Sequence, residues 1–193
     1  MEAYPSPQDR TLHRTLAVGG LAAFALHGWL KGQEGLLPEL LWGCNVSAAA
    51  LILGFAFEWP VVVGAAFLWR LVLGEPGFLA GLWSGERYGW TTAFVHVTPT
   101  VLAILFLRRS GLPRRAWLWA GLGSLALVPL SQAFTPAHLN VNLAHSRLGW
   151  LSNQVPGLWS YRLVAALLIS AGLALADALA ARLLGRPESE RTG

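Results

Sequence analysis

The only cysteine of the chain, Cys44, lies next to an amide side chain, Asn45, inside an apolar run at about residues 36–57. A single histidine, His96, lies in a later apolar run. A thiol is a weak nucleophile until a neighbouring imidazole takes its proton, and the pair is then competent for acyl transfer. The residue types therefore predict Cys44 as a nucleophile and His96 as its base.

Both residues also have an ordinary structural explanation. A lone cysteine in an apolar helix usually packs as a small hydrophobic side chain. A histidine in a membrane helix can form a hydrogen bond to a neighbouring helix without taking part in chemistry. Pro99 removes the helical partner of the Val95 carbonyl, so the helix is expected to loosen close to His96. The residues alone leave both explanations open.

Further polar side chains within or beside the apolar runs extend this candidate site. Amides can stabilise an oxyanion, and arginines can hold a carboxylate or phosphate head group. The alternatives are turn capping for the asparagines and an ion pair for the arginines, with Glu75 or Glu39 as a partner of Arg70. The predicted oxyanion- and substrate-binding residues are Asn45, Asn140, Asn142, Arg70, Arg162, His27 and His145.

The elements that must position these residues are predicted to be membrane helices. The chain is 54% hydrophobic and 12% charged, whereas charged residues make up about 25% of a soluble domain. Several apolar runs approach the roughly 20 residues that a helix needs to cross a bilayer. The predicted fold is an all-α, six-transmembrane-helix bundle over residues 15–184, with a polar N-terminal segment at 1–14 and a polar tail at 185–193. The runs cover residues 15–30, 36–57, 60 onward, 90–107, 116–134 and 158–184.

The third run contains Gly74-Glu75-Pro76-Gly77, which is expected to end or break its helix. Residues 78–83 would then be too short to span the membrane, and they would lie at the outer rim or re-enter.

The basic residues indicate the orientation of the bundle. Six spans place both termini on one side, and positively charged loops favour the cytoplasm. Nine basic residues lie on the side of the termini and three on the other, so both termini are predicted to be cytoplasmic. The nine on the side of the termini are Arg10, Arg14, Arg108, Arg109, Arg114, Arg115, Arg182, Arg186 and Arg191. The three on the other side are Lys31, Arg87 and Arg147.

Composition and spacing also exclude several kinds of site. Basic residues in loops between apolar runs follow membrane topology, so the net charge of +4 does not indicate a nucleic-acid partner. One cysteine excludes an internal disulfide and a CxxC site. The five histidines lack the spacing of converging metal ligands. No metal or cofactor is predicted, and the expected partner is a membrane lipid.

The motifs Trp42-Gly43-Cys44-Asn45 and Asn140-Val141-Asn142, with His96 between them, resemble the YwaF-like bacterial integral membrane proteins. More distantly they are similar to the membrane acyltransferase that remodels ether phospholipids and to the androgen-induced-type hydrolases of fatty-acid esters of hydroxy fatty acids. The resemblance implies a multi-span enzyme with Cys44 as nucleophile and His96 as base.

Two functions of different classes follow from this sequence. The first is a membrane-embedded lipid acyl-ester hydrolase or acyltransferase with a Cys–His pair in a cavity open to the outer leaflet. The second is a membrane protein that binds or transports a lipid or small molecule through the same cavity without chemistry.

Overall fold

The computed structural model describes residues 7–85, 87–147 and 151–187, and all regular secondary structure in these ranges is helical. The described residues form eight α-helices. Short 3₁₀ turns lie between the first and second and between the sixth and seventh helices, and a π-helical turn at Arg70–Gly74 links the third and fourth. The helices are α1 (Pro7–Gln33), α2 (Gly43–Ala56), α3 (Pro60–Trp69), α4 (Glu75–Trp83), α5 (Trp90–Ser110), α6 (Ala116–Phe134), α7 (Leu151–Gln154) and α8 (Leu158–Leu184).

Four helical stretches are long and apolar enough to cross a membrane. The prediction of an all-helical chain with several membrane-compatible helices is therefore confirmed. α2 is also apolar, but its 14 residues fall short of the roughly 20 that span a bilayer. Six spans with cytoplasmic termini stay a prediction. The four stretches are Pro60–Trp83, Trp90–Ser110, Ala116–Phe134 and Leu158–Leu184.

The second apolar run, at 36–57, does not form one helix. It divides into a 3₁₀ turn, Leu37–Leu41, and α2. The residue between them, Trp42, has a ψ of 137°, which lies outside the range of α- and 3₁₀-helices. Pro38 begins the 3₁₀ turn, and Glu39 is held by Lys31 of α1 at 2.7 Å. The break places the N terminus of α2 inside the apolar run, with Cys44 as the second helical residue.

The predicted break at residues 74–77 is wrong. The chain continues as one helical stretch over Pro60–Trp83 because the π-helical turn shifts the hydrogen-bond register. The N–H of Glu75 donates to the carbonyl of Arg70, five residues back. Pro76 then falls in the first turn of α4, where no helical donor is required.

The later runs match their predicted positions closely. α6 and α8 begin and end where the apolar runs at 116–134 and 158–184 do, and α5 extends the run at 90–107 to Ser110. In the packed bundle α3 lies against α2, α5 and α6, while α1 packs on α2 and α5, and α8 packs on α6. The candidate site lies where α2 and α5 meet the π-helical turn.

Candidate functional site

Arg70, the first residue of the π-helical turn, is fully buried and binds the backbones of two neighbouring helices. Its Nη1 donates to the carbonyl of Cys44 in α2 at 3.0 Å. Its Nη2 donates to the carbonyls of Val95 at 2.8 Å and His96 at 2.6 Å in α5. Because Pro99 lacks an N–H, the Val95 carbonyl has no helical partner at that position and is free to accept this bond.

Glu75 neutralises this arginine and links it to the imidazole. Its Oε1 lies 2.8 Å from Nη2 of Arg70 and accepts a hydrogen bond from Thr100 Oγ1 at 2.7 Å. Thr100 in turn accepts from Nε of Arg70 at 2.7 Å. Glu75 was one of the two carboxylates considered as partners of Arg70 in the sequence analysis, and in the structure Arg70 pairs with Glu75.

The other oxygen of Glu75, Oε2, lies 3.3 Å from Nδ1 of His96. Since a carboxylate only accepts hydrogen bonds, the hydrogen is assigned to Nδ1, which leaves Nε2 as the ring nitrogen that can act as a base. The ring is buried and stacks on Phe78, with centroids 4.3 Å apart and planes 11° from parallel. The imidazole is thus fixed in orientation and in tautomer.

Arg70 uses all three guanidinium nitrogens inside the bundle. The guanidinium of Arg70 therefore has no free donor for the role predicted from the sequence, which was to hold a substrate head group. The contacts assign Arg70 to the alternative the sequence left open, an ion pair, and they add a second role in joining α2 to α5.

Cys44 lies on the same network but does not contact His96 directly. Its side chain is partly exposed, and its position in the first turn of α2 places the thiol at the positive end of the helix dipole. A Cβ added at Gly74 would lie 3.6 Å from the Cβ of Cys44, so α2 begins against the π-helical turn. The contacts of the described residues include no hydrogen bond between the thiol and the imidazole.

Asn142 caps the N terminus of α2 from the loop after α6. Its Oδ1 accepts from the N–H of Gly43 at 2.9 Å, and its Nδ2 donates to the Leu41 carbonyl at 2.7 Å and to Ser131 Oγ at 2.8 Å. Both hydrogens of the Asn142 amide are engaged, so Asn142 has no free donor for the oxyanion role predicted from the sequence. Gly43 itself must lack a side chain, because a Cβ there would lie 2.8 Å from Nε1 of Trp69.

The remaining predicted polar residues stabilise local structure. Asn45 Nδ2 donates to the carbonyl of Glu39 at 2.9 Å. Asn140 Oδ1 accepts from the N–H of His145 at 3.0 Å, and Nε2 of His145 lies 3.1 Å from the Thr135 carbonyl. In these contacts the structure uses the asparagines as caps and turns, which was the alternative explanation.

His27 is buried in α1, and its Nδ1 lies 3.2 Å from Oγ1 of Thr91 in α5. Thr91 precedes His96 by five residues, about 7.5 Å along the helix axis. His27 therefore contacts α5 one to two turns before His96.

An apolar cavity of about 250 Å³ opens between α1, α2 and α5. Two of its lining residues, Ala48 and Ile52, follow Cys44 at intervals of four, so they share its face of α2. On α5 the cavity is lined by Val95, which precedes His96 in the chain. The cavity therefore runs along the helix faces that carry the thiol and flank the imidazole.

Sequence reasoning missed several residues that hold this arrangement. Ser131 and Thr91 bind Asn142 and His27, and Phe78 stacks on His96. Phe78 was assigned to a separate rim segment because the helix was expected to break before it. Thr100, one turn after His96, links Arg70 to Glu75.

No protein-family model, curated protein or solved structure matches this chain. The resemblance to the YwaF-like proteins therefore stays a prediction, and the functional argument rests on the geometry of the site.

Replacing Arg70 by Met should destabilise the protein strongly, because Glu75 would keep its charge in a buried network without its cation. Removal of one partner of a buried ion pair costs about 3–5 kcal/mol, which would appear as a lower thermal midpoint in detergent. Arg87→Met makes the same change at an exposed loop residue and should cost no more than about 0.5 kcal/mol. Equal midpoints for the two variants would contradict the role given to Arg70.

Replacing Asn142 by Gly should loosen the start of α2, because glycine tolerates the φ of 53° found there but removes the cap. Loss of a cap costs about 0.5–2 kcal/mol, so maleimide labelling of Cys44 should accelerate roughly 2- to 30-fold. Asn140→Gly is the matched control, since Asn140 has a φ of 44° but binds only within its own loop. Equal labelling rates in the two variants would rule out the capping role.

Proposed function

We propose that this protein is a membrane-embedded enzyme that hydrolyses or transfers the acyl group of a lipid ester, with Cys44 as nucleophile and His96 as base. The observation that supports it most is the 3.3 Å contact between Oε2 of Glu75 and Nδ1 of His96. A carboxylate at Nδ1 holds the ring in the tautomer whose Nε2 can accept a proton, and it stabilises the imidazolium that forms. The same network binds the backbone of Cys44.

The proposed reaction begins when Nε2 of His96 takes the proton of the Cys44 thiol. The sulfur attacks the ester carbonyl carbon, and the tetrahedral intermediate collapses with cleavage of the bond between that carbon and the alcohol oxygen. The alcohol leaves with the proton from His96. Water or a second alcohol then attacks the thioester, passes its proton through His96 and restores the thiol.

The oxyanion is stabilised by the backbone N–H of Cys44 in this proposal. The neighbouring N–H groups are engaged, that of Gly43 with Asn142 and that of Asn45 with the Trp42 carbonyl. Among the described residues no backbone carbonyl accepts from the N–H of Cys44, which instead lies against the sulfur of its own side chain. First-turn N–H groups have no helical acceptor and lie at the positive end of the dipole, where they suit an anion.

The apolar cavity between α1, α2 and α5 supplies a place for the acyl chain. Its α2 wall includes Ala48, one turn after Cys44, and Ile52, and its other walls come from α1 residues such as Gly20 and Phe24. In this proposal the acyl chain lies there and the ester carbonyl lies beyond Ala48, towards Cys44. The hydrogen bond between thiol and imidazole would form when substrate is bound, because catalytic hydrogen bonds often tighten only in that complex.

A second candidate function is binding of a lipid without chemistry. It is favoured by the lining of the cavity, whose polar side chains are two threonines, Thr15 and Thr98, and by the structural contacts that occupy Arg70 and Asn142. The two candidates differ in what they require of Cys44: binding should survive its replacement by either Ser or Ala, whereas covalent turnover should not survive Ala.

The test is intact-mass measurement of the purified protein after incubation with p-nitrophenyl butyrate, together with release of p-nitrophenol. The parent should gain one butyryl group, and Cys44→Ala should gain none. His96→Gln should slow acylation by about 10²- to 10⁴-fold, the usual contribution of a general base. His145→Gln is the control, because His145 binds Thr135 in the loop after α6.

Each variant is first compared with the parent by gel filtration and thermal unfolding, so that loss of activity is not loss of fold. No adduct on the folded parent, or the same adduct on Cys44→Ala, would eliminate the enzyme proposal and leave lipid binding as the function to pursue.

A further inference from the structure

A second cavity of about 290 Å³ lies between α6 and α8, and it shares no lining residue with the first. Its walls are apolar along Leu125, Val128 and Ile169. Four of its polar side chains lie at the end where the loop after α6 joins α8, and two serines, Ser124 and Ser170, lie farther along it. The four are Gln132, Asn142, Tyr161 and Arg162.

The contacts of Arg162 leave part of its guanidinium group able to bind an anion. Its Nη2 donates a hydrogen bond to the Ala144 carbonyl, and its guanidinium carbon lies 4.8 Å from the centre of the Trp159 ring. Its Nε is shielded from solvent, yet it has no hydrogen-bond partner among the described residues. A buried donor left unpaired costs about 1–3 kcal/mol, so this nitrogen requires an acceptor beyond the described residues.

No described carboxylate pairs with Arg162. The ion pairs among described residues commit the acidic side chains to other cations, so the positive charge of Arg162 is not compensated within the described protein. These pairs are Glu34 and Glu39 with Lys31, Glu58 with His13, Glu75 with Arg70 and His96, and Asp177 with Arg186.

We propose that Arg162 binds the phosphate of an anionic phospholipid, one acyl chain of which lies in the cavity between α6 and α8. Arginine pairs with phosphate through two parallel hydrogen bonds, and Nε with a terminal nitrogen forms such a fork. The apolar walls, which continue from Arg162 to Ile169 about two turns along α8, suit a chain rather than a free anion.

The position of Arg162 in the bundle supports a lipid phosphate as the anion. It is the fifth residue of α8, a candidate span of 27 residues that is longer than the roughly 20 needed to cross the bilayer. Trp159, which is 77% exposed, lies one turn earlier. Tryptophan favours the membrane–water interface, which is also the depth of phospholipid phosphates.

The site is tested by native mass spectrometry of the detergent-solubilised protein titrated with phosphatidylglycerol and, separately, with phosphatidylethanolamine of the same acyl chains. The parent should bind phosphatidylglycerol more tightly. Arg162→Gln should weaken that binding about tenfold or more, as expected for the loss of a charge-assisted hydrogen bond. Arg87→Gln makes the same charge change at an exposed loop residue and should leave binding unchanged.

A second variant, Ala166→Phe, fills the apolar part of the cavity without altering the charge of Arg162. It should weaken phosphatidylglycerol binding as well, and it keeps the proposal testable if Arg162→Gln fails to fold. Equal losses in Arg162→Gln and Arg87→Gln would show only general attraction of anions. Undiminished binding in Ala166→Phe, or equal affinity for the two lipids, would also overturn the proposal. The readout is lipid binding, so it does not depend on whether Cys44 is a nucleophile.

Discussion

A buried arginine within a helix that is apolar enough to cross a membrane is the constraint on which this structure depends. Such a charge is costly in a low-dielectric interior unless every donor finds an acceptor and the charge itself is neutralised. Arg70 meets both conditions by binding carbonyls of two other helices and one carboxylate of its own helical stretch. Because those acceptors come from α2, α4 and α5, satisfying Arg70 fixes these three helices relative to one another.

Each acceptor depends on a local irregularity of the backbone. The Val95 carbonyl is free because Pro99 cannot donate to it. Glu75 follows the π-helical turn, which adds a residue to the helical register between Arg70 and Pro76. α2 begins inside an apolar run because Asn142 caps Gly43 there. Irregular turns of this kind are frequent at functional sites, and here they place the backbone of Cys44 and the imidazole of His96 on one hydrogen-bonded network.

Much of the helical framework could be predicted from the sequence. α6 and α8 are long uninterrupted apolar runs with polar or glycine-containing ends, so hydropathy alone locates them. Glu75 was foreseen as a partner of Arg70 because both would be unpaired charges at membrane depth. The polar side chains of the candidate site were identified for the same reason, since few polar groups enter the apolar runs.

The contacts among those side chains could not be predicted. The Asn142–Gly43 cap joins residues 99 positions apart, and no local pattern reports such a pairing. Asn45 and Asn142 suit an oxyanion by residue type, but Asn45 donates to the Glu39 carbonyl and Asn142 donates to the Leu41 carbonyl and the Ser131 hydroxyl. Only the folded chain reveals these acceptors. The continuity of Pro60–Trp83 was missed for a related reason. The sequence shows that Pro76 lacks a backbone N–H, but it does not show the π-helical turn that places Pro76 where no N–H is needed.

The most direct measurement is oxidative cross-linking of Cys44 to a cysteine introduced at position 74. The Cβ atoms would lie 3.6 Å apart, within the range of about 3.5–4.5 Å found in disulfides. Gly74→Cys should therefore form an intramolecular disulfide in membranes under mild oxidation, seen as a mass loss of about 2 Da and the disappearance of both thiols. Gly77→Cys, where an added Cβ meets nothing within 4 Å, should keep both thiols. If Gly74→Cys instead keeps its thiols as Gly77→Cys does, α2 does not begin against the π-helical turn, and the site built around Arg70 is not formed as described.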